Sequence, residues 1–283
     1  METGDLFFRR DTMDYRVENE LLTLTVSDHG AELQDLRRKA APDAPLLWDG
    51  KKEHWPRRAP ICFPWCGRVE ENWYEFEGKR YEGLPQHGFV RDLDHTLAEQ
   101  TPASLTFRLD WPGDEKLWPW AFTLDTRHAL EGNMLVTTCT ARNRSDKPMP
   151  VQLGFHVGLR CPFTPGKTLE DYLIRWEKPE APGDRDFFPL DHHSFDNDSI
   201  CFPGLASEWL QVEEKGTGKH LRVETGNWPY VLIWSAKGVP DFVCIEPWTG
   251  FLGPGHDLSR RPGTEMLLSG QTFSRVHRLT VEV

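Results

Sequence analysis

Hydrophobic positions along this chain recur with a period of two, in short runs separated by turn residues, and no long stripe of period 3.6 accompanies them. Leu22, Leu24 and Val26 alternate with Thr23, Thr25 and Ser27 before a turn at Asp28-His29-Gly30 and a second run over 31–36, which predicts an opening hairpin. Runs over 122–130 and 134–143 flank Glu131-Gly132-Asn133 and predict another. Further strands are predicted over 104–109, 151–161, 209–212, 221–224, 230–235, 243–246 and 273–283. The segments 179–189 and 251–263 are rich in Pro, Gly and charge and read as long surface loops. More than ten strands with almost no helix predict an all-β fold of two large, mostly antiparallel packed sheets. No repeat or low-complexity linker divides the chain, so residues 1–283 read as a single domain.

Two ionisable residues break the apolar pattern. Glu246 sits in Phe242-Val243-Cys244-Ile245-Glu246-Pro247-Trp248, and His156 in Val151-Gln152-Leu153-Gly154-Phe155-His156-Val157-Gly158-Leu159. Burying a carboxylate costs several kcal/mol unless it is paired, and desolvation raises its pKa toward the range useful for proton transfer. A carboxylate and an imidazole on separate strands, facing one cavity, would make an acid and base pair.

Composition narrows the class further. Twelve Trp, sixteen Phe, 22 Pro and 23 Gly in 283 residues suit strands and loops. A net charge of -11 argues against nucleic acid or an anionic membrane as the main partner. The six cysteines, at 62, 66, 139, 161, 201 and 244, lack zinc-site spacing and disulfide-scaffold density, so they read as buried free thiols. The charged first thirty residues contain no apolar signal core, and no segment has the length of a membrane span; the expectation is a reduced, cytoplasmic protein.

The densest cluster is Trp55-Pro56-Arg57-Arg58-Ala59-Pro60-Ile61-Cys62-Phe63-Pro64-Trp65-Cys66-Gly67-Arg68, followed by Pro85-Gln86-His87-Gly88-Phe89-Val90-Arg91-Asp92. Prolines and aromatics stiffen this backbone while arginines and a histidine project from it, as a pocket for a polyhydroxy ligand requires. Trp65 and Trp248 are candidates to cover the apolar face of a sugar, and Arg57 and His87 to bond its hydroxyls. Arg68 and Arg91 are candidates either to touch ligand or to brace the loops.

Four motifs in order, Ala59-Pro60-Ile61-Cys62-Phe63-Pro64 with Gly67-Arg68, His87-Gly88-Phe89-Val90-Arg91-Asp92, Gly154-Phe155-His156 and Cys244-Ile245-Glu246-Pro247-Trp248, together resemble the aldose 1-epimerase family, in particular its bacterial galactose mutarotase-like branch. The resemblance implies a β-supersandwich with a concave sugar site, no cofactor and no required metal, and interconversion of α and β anomers of a free aldohexose such as galactose or glucose. It implies Glu246 as general base and His156 as general acid, His87 and Arg57 lining the sugar, and Asp198 as a further carboxylate near the pocket. One departure stands out: Val157 occupies the place of the family's usual proline after the catalytic histidine, and Arg160 that of a small polar residue.

Two alternatives accompany this reading. A hexose-6-phosphate 1-epimerase requires at least two arginines, from Arg57, Arg68 and Arg91, converging on the phosphate. A non-catalytic sugar-binding or sensing module requires no acid and base pair. The expected partner is a small sugar, with monomer and homodimer both open.

Overall fold

The computed structural model describes residues 12–180, 184–239, 241–251, 253 and 255–283. Two large antiparallel sheets dominate, in line with the period-two pattern. The larger has nine strands, in the order Arg185–Pro189, Tyr172–Glu180, Trp209–Glu214, His220–Glu224, Thr272–Glu282, Met134–Asn143, Phe122–Glu131, Ser104–Trp111 and Thr96–Thr101. The second has six: Ile200–Pro203, Tyr230–Trp234, Phe242–Trp248, Gly154–Phe155 and Ile61–Cys62 in order, with Val157–Arg160 also paired to Phe242–Trp248. A four-stranded meander, Asp14–Glu18 through Ala41–Pro45, and two small ribbons complete the sheets.

Both predicted hairpins form. Leu22–Ser27 pairs with Leu33–Arg38, and Phe122–Glu131 with Met134–Asn143 in unbroken register. The alternating apolar residues of these strands enter one continuous core that includes Leu24, Phe107, Leu124, Ile174, Val212, Ile245 and Leu279. Burial of such side chains stabilises by about 1.5–3 kcal/mol each.

Elsewhere the observed elements differ from the pattern. The predicted strand over 151–161 is three short strands, Met149–Val151, Gly154–Phe155 and Val157–Arg160. The expected loop over 179–189 contains Arg185–Pro189, which pairs with Tyr172–Glu180 across a register shift. That edge strand reads Arg-Asp-Phe-Phe-Pro, without alternation and with no buried residue, so its period-two signal is absent. Residues 181–183, Pro240, Leu252 and Pro254 lie outside the described residues, and with the last two part of the predicted loop over 251–263. No helix among the described residues is long and apolar enough to cross a membrane.

Candidate active site

The strand Phe242–Trp248 is buried at every position because it lies inside the six-stranded sheet. Its alternation sends Val243 and Ile245 into the main core and Cys244, Glu246 and Trp248 to the opposite face. On the adjoining strand Trp234, Leu232 and Tyr230 pair with Cys244, Glu246 and Trp248 in turn, and so share that face. On the other side Gly154 pairs with Trp248 and Val157 with Ile245. Three steps along each strand separate those pairs, which sets His156 directly opposite Glu246. Pro247, opposite Phe155, has no backbone N–H to donate, so the ladder lapses here. The N–H of His156 points away from it and donates to Pro60 O at 3.1 Å.

Gly154, His156 and Gly158 fall on one face of the chain at intervals of two. A Cβ on Gly154 would lie 2.4 Å from Trp248 Cδ1, and one on Gly158 2.9 Å from Trp55 Cζ3. The two glycines flanking the histidine therefore let two indoles rest on bare backbone. Trp55 stacks on the imidazole, with centroids 4.8 Å apart at 30°, while Trp234 and His87 meet it edge-on at 5.5 and 5.3 Å. Val157 points the other way, into the main core, so the departure from the family's proline lies on the face away from His156. Arg160 is 3.7 Å from Asp49.

His156 Nε2 lies 3.3 Å from Glu246 Oε2, with side-chain exposures of 8% and 2%. Burial, then the neighbouring Cys62 and Asp198, pushes the Glu246 carboxyl well above the usual carboxylate range. Burial, then the Arg91 charge, lowers His156 to about 3. Both directions favour a neutral pair that holds one proton. His156 Nδ1 and Trp248 Nε1 are buried without a hydrogen-bond partner.

His87 has a φ of 65° and precedes Gly88 at 75°. A Cβ on Gly88 would sit 1.9 Å from Phe63 O, so only glycine fits where this turn is strapped to the Ile-Cys-Phe-Pro segment. Phe89 N–H donates to Phe63 O and Phe63 N–H to His87 O, each at 3.2 Å. Gly67 N–H donates to His87 Nδ1 at 3.1 Å, and the other ring nitrogen, Nε2, lies 3.0 Å from Gln86 Nε2. Burial, then His156, holds His87 well below the ordinary histidine value.

The arginines divide by what they already bond. Arg57 donates to Arg91 O at 3.1 Å and pairs with Asp92 and, at 3.5 Å, Glu32. Arg68 is exposed and donates to Gln86 at 3.3 Å. Arg91 has a buried Nε without a hydrogen-bond partner, and its charge acts on both His87 and His156. Trp65, expected to cover a sugar, is instead 1% exposed in the main core, packed on Phe89 and Trp118 with its indole N–H donated to Pro85 O at 3.1 Å. Asp198 is exposed at a φ of 77° and its charge reaches Glu246.

Sequence reasoning passed over three residues here. Trp55 and Trp234 are half-buried beside His156; Trp55 opened the proline and arginine cluster, but its contact with Gly158 spans a hundred positions of chain. Glu32, 5% exposed, accepts from the amides of Arg58 at 2.6 Å and Ala59 at 2.9 Å and so anchors the segment that carries Trp55. All six cysteines are free thiols, as expected, and five are buried. Ligand atoms of His156, Cys244 and Glu246 lie within 4.8 Å of one another.

Comparison with known proteins agrees with this architecture. Residues 13–266 match the family described as aldose 1-epimerase. The plasmid protein LacX of Lactococcus lactis is 28% identical over 300 residues, covering 95% of this chain and 99% of the relative. A galactose mutarotase related enzyme from Lactobacillus acidophilus superposes with a TM-score of 0.87 at 30% identity, over 96% of this chain and 98% of that one. A galactose mutarotase-like protein from Lactobacillus casei gives 0.84 at 24% identity, over 95% and 100%.

Proposed function

The chain belongs to the aldose 1-epimerase family, and from that premise we propose that it interconverts the α and β anomers of a free aldohexose such as galactose or glucose, with Glu246 and His156 as the reacting pair. The observation that carries this reading is the buried imidazole and carboxylate 3.3 Å apart, on a sheet face flanked by half-buried aromatics.

In the bound ring form Glu246, as carboxylate, takes the proton of the anomeric hydroxyl. His156, as imidazolium, protonates the ring oxygen, and the bond between C1 and that oxygen breaks. The products are an open-chain aldehyde, a protonated Glu246 and a neutral His156. Rotation about the C1 to C2 bond turns the other carbonyl face toward the hydroxyl. The same groups then run in reverse, His156 accepting the proton from that hydroxyl and Glu246 returning one to O1. The pair carries one proton throughout, and the neutral arrangement favoured by burial is the one that accompanies the open chain. Trp55 and Trp234 replace Trp65 as platforms for the apolar sugar face. Trp248 Nε1, buried without a hydrogen-bond partner, supplies a donor for a sugar oxygen, and Arg91, whose Nε lies 3.8 Å from Asp92, supplies a second.

The engagement of Arg57 by Glu32 and Asp92 argues for a neutral sugar over a hexose 6-phosphate, since it reduces the guanidiniums available to a dianion. A binding module without activity has no use for the pair. Polarimetry of freshly dissolved α-galactose and α-glucose tests the assignment. Wild type accelerates the relaxation, and Glu246→Gln and His156→Asn each lose about 10²- to 10⁴-fold. Acceleration only with hexose 6-phosphates transfers the assignment to that class, and no acceleration with any of them refutes catalysis.

A further inference from the structure

Among the described residues, one group of three or more metal-ligating side chains converges: His156, Cys244 and Glu246, all buried, with ligand atoms within 4.8 Å of one another. We propose that these three residues form an inhibitory site for a thiophilic divalent cation of the zinc class, which binds in place of sugar. Backbone geometry assembles it. Cys244 and Glu246 are two residues apart on one strand and project to one face, and His156 is set opposite Glu246 by the register.

The ligand set is the mixed sulfur, nitrogen and oxygen set that zinc accepts, with three protein ligands and a fourth position left for water. Tetrahedral ligands at about 2.0–2.3 Å lie about 3.3–3.8 Å apart. The imidazole and carboxylate already meet that spacing at 3.3 Å. Closing the widest separation requires a contraction of about 1 Å, within the reach of side-chain torsions. Binding replaces the thiol proton and the single proton of the pair, so two protons leave and the site goes from neutral to neutral. The alternating residues Val243 and Ile245 face the core, so the strand offers the cation no other ligands.

Occupancy by the cation ties up both groups that move protons in the proposed reaction. The inhibition therefore rests on the sugar reading, whereas the binding does not. The test uses the intact protein with cadmium as spectroscopic probe, and zinc against mutarotation in chelator-buffered solution. Wild type takes up one cadmium with a thiolate-to-cadmium charge-transfer band, and zinc inhibits competitively with sugar and reversibly on chelation. Cys244→Ser, or Cys244→Ala if the first folds poorly by circular dichroism, loses the band and weakens binding at least about 10- to 100-fold. A band of undiminished strength in the folded variant places the cation on Cys62, Cys66 or Cys201 and overturns the proposal, as does the absence of binding to wild type. If cadmium binds through Cys244 while no sugar is turned over, the site stands and the mutarotase reading fails.

Discussion

Gly154→Ala is the sharpest perturbation the site offers, because it adds one methyl to the face that carries His156. That methyl would lie 2.4 Å from Trp248 Cδ1 and 2.9 Å from Cys66 Sγ. Ordinary contact begins near 3.4 Å, so the indole must retreat by about 1 Å. Overpacking of this kind costs about 1–3 kcal/mol. Gly154 is not at positive φ, so alanine pays no backbone strain and returns about 0.4–1 kcal/mol by restricting the unfolded chain. The net is a destabilisation of up to about 2.6 kcal/mol. At about 2.1 cal/mol/K per residue, 283 residues have an unfolding entropy near 0.6 kcal/mol/K. The corresponding loss of Tm is up to about 4 °C. Urea unfolding followed by tryptophan fluorescence measures it, and a double-mutant cycle assigns the cause. In a Trp248→Ala background the ring is gone, and Gly154→Ala becomes less costly by about 1–2 kcal/mol, well above the additivity error of about 0.3–0.5 kcal/mol. Relief is partial because Cys66 stays. Equal effects of Gly154→Ala in both backgrounds would refute the idea that glycine is here to seat the indole.

Glu32→Ala removes the acceptor of two amides, at Arg58 and Ala59; a loss of about 2–4 kcal/mol in urea stability is expected, with a raised KM for sugar as the Trp55 segment loosens. Val157→Ala, by contrast, lowers stability by about 2 kcal/mol through lost burial in the core and leaves kcat/KM unchanged within about twofold, since its side chain faces away from His156; polarimetry and unfolding together separate the two effects. The fold is also expected to be acid-labile. Burial holds His95 and His128 at about 4 and His277 at about 3. Between 6.5 and those values the unfolded chain binds more protons, so stability is full above 6.5, falls as pH drops and levels off below about 3. At pH 5 the loss is at most about 2 kcal/mol per histidine. A urea midpoint that holds constant from pH 7 to 5 contradicts it.

What was legible in the sequence was whatever repeats locally. Alternation disclosed the hairpins around Asp28 and Gly132 because the two strands of each are neighbours in sequence, and the apolar settings of Glu246 and His156 disclosed both intruders. Apolar content alone did not reveal where the strand over 151–161 breaks. The break at His156 depends on Pro247, ninety residues away, whose missing N–H matters only once the two segments lie side by side. Arg57 and Trp65 show the same limit from another direction. The ion pairs of Arg57 with Glu32 and Asp92 are invisible in a stiff loop read alone, and Trp65 reads as a sugar platform until Phe89 and Trp118 enclose it. Partner identity over long sequence distance is what period and composition leave out.

For the reaction proposed above, the register also explains how an apolar sheet face would host proton chemistry without a large penalty. Two separately buried charges would each require several kcal/mol of compensation. Placed opposite one another in register, the carboxyl and imidazole need only one proton between them. Moving that proton across 3.3 Å interconverts a neutral pair and an ion pair without changing the net charge of the site. Burial favours the neutral arrangement, and in the proposed complex sugar hydroxyls beside the pair would solvate the ionic one. The energy gap between the two forms is thereby narrowed at the moment when proton transfer to the ring oxygen is required. Pro247 contributes by interrupting the ladder beside the pair, and the flanking glycines by letting Trp55 and Trp248 close over it. Aromatic walls exclude water, so that the ionic form is stabilised only when sugar hydroxyls stand beside the pair. On this account a substitution that admits water, such as Trp55→Ala, slows both directions of the ring opening equally and moves His156 upward from about 3 toward its ordinary value, a shift that titration of the imidazole by NMR reads directly.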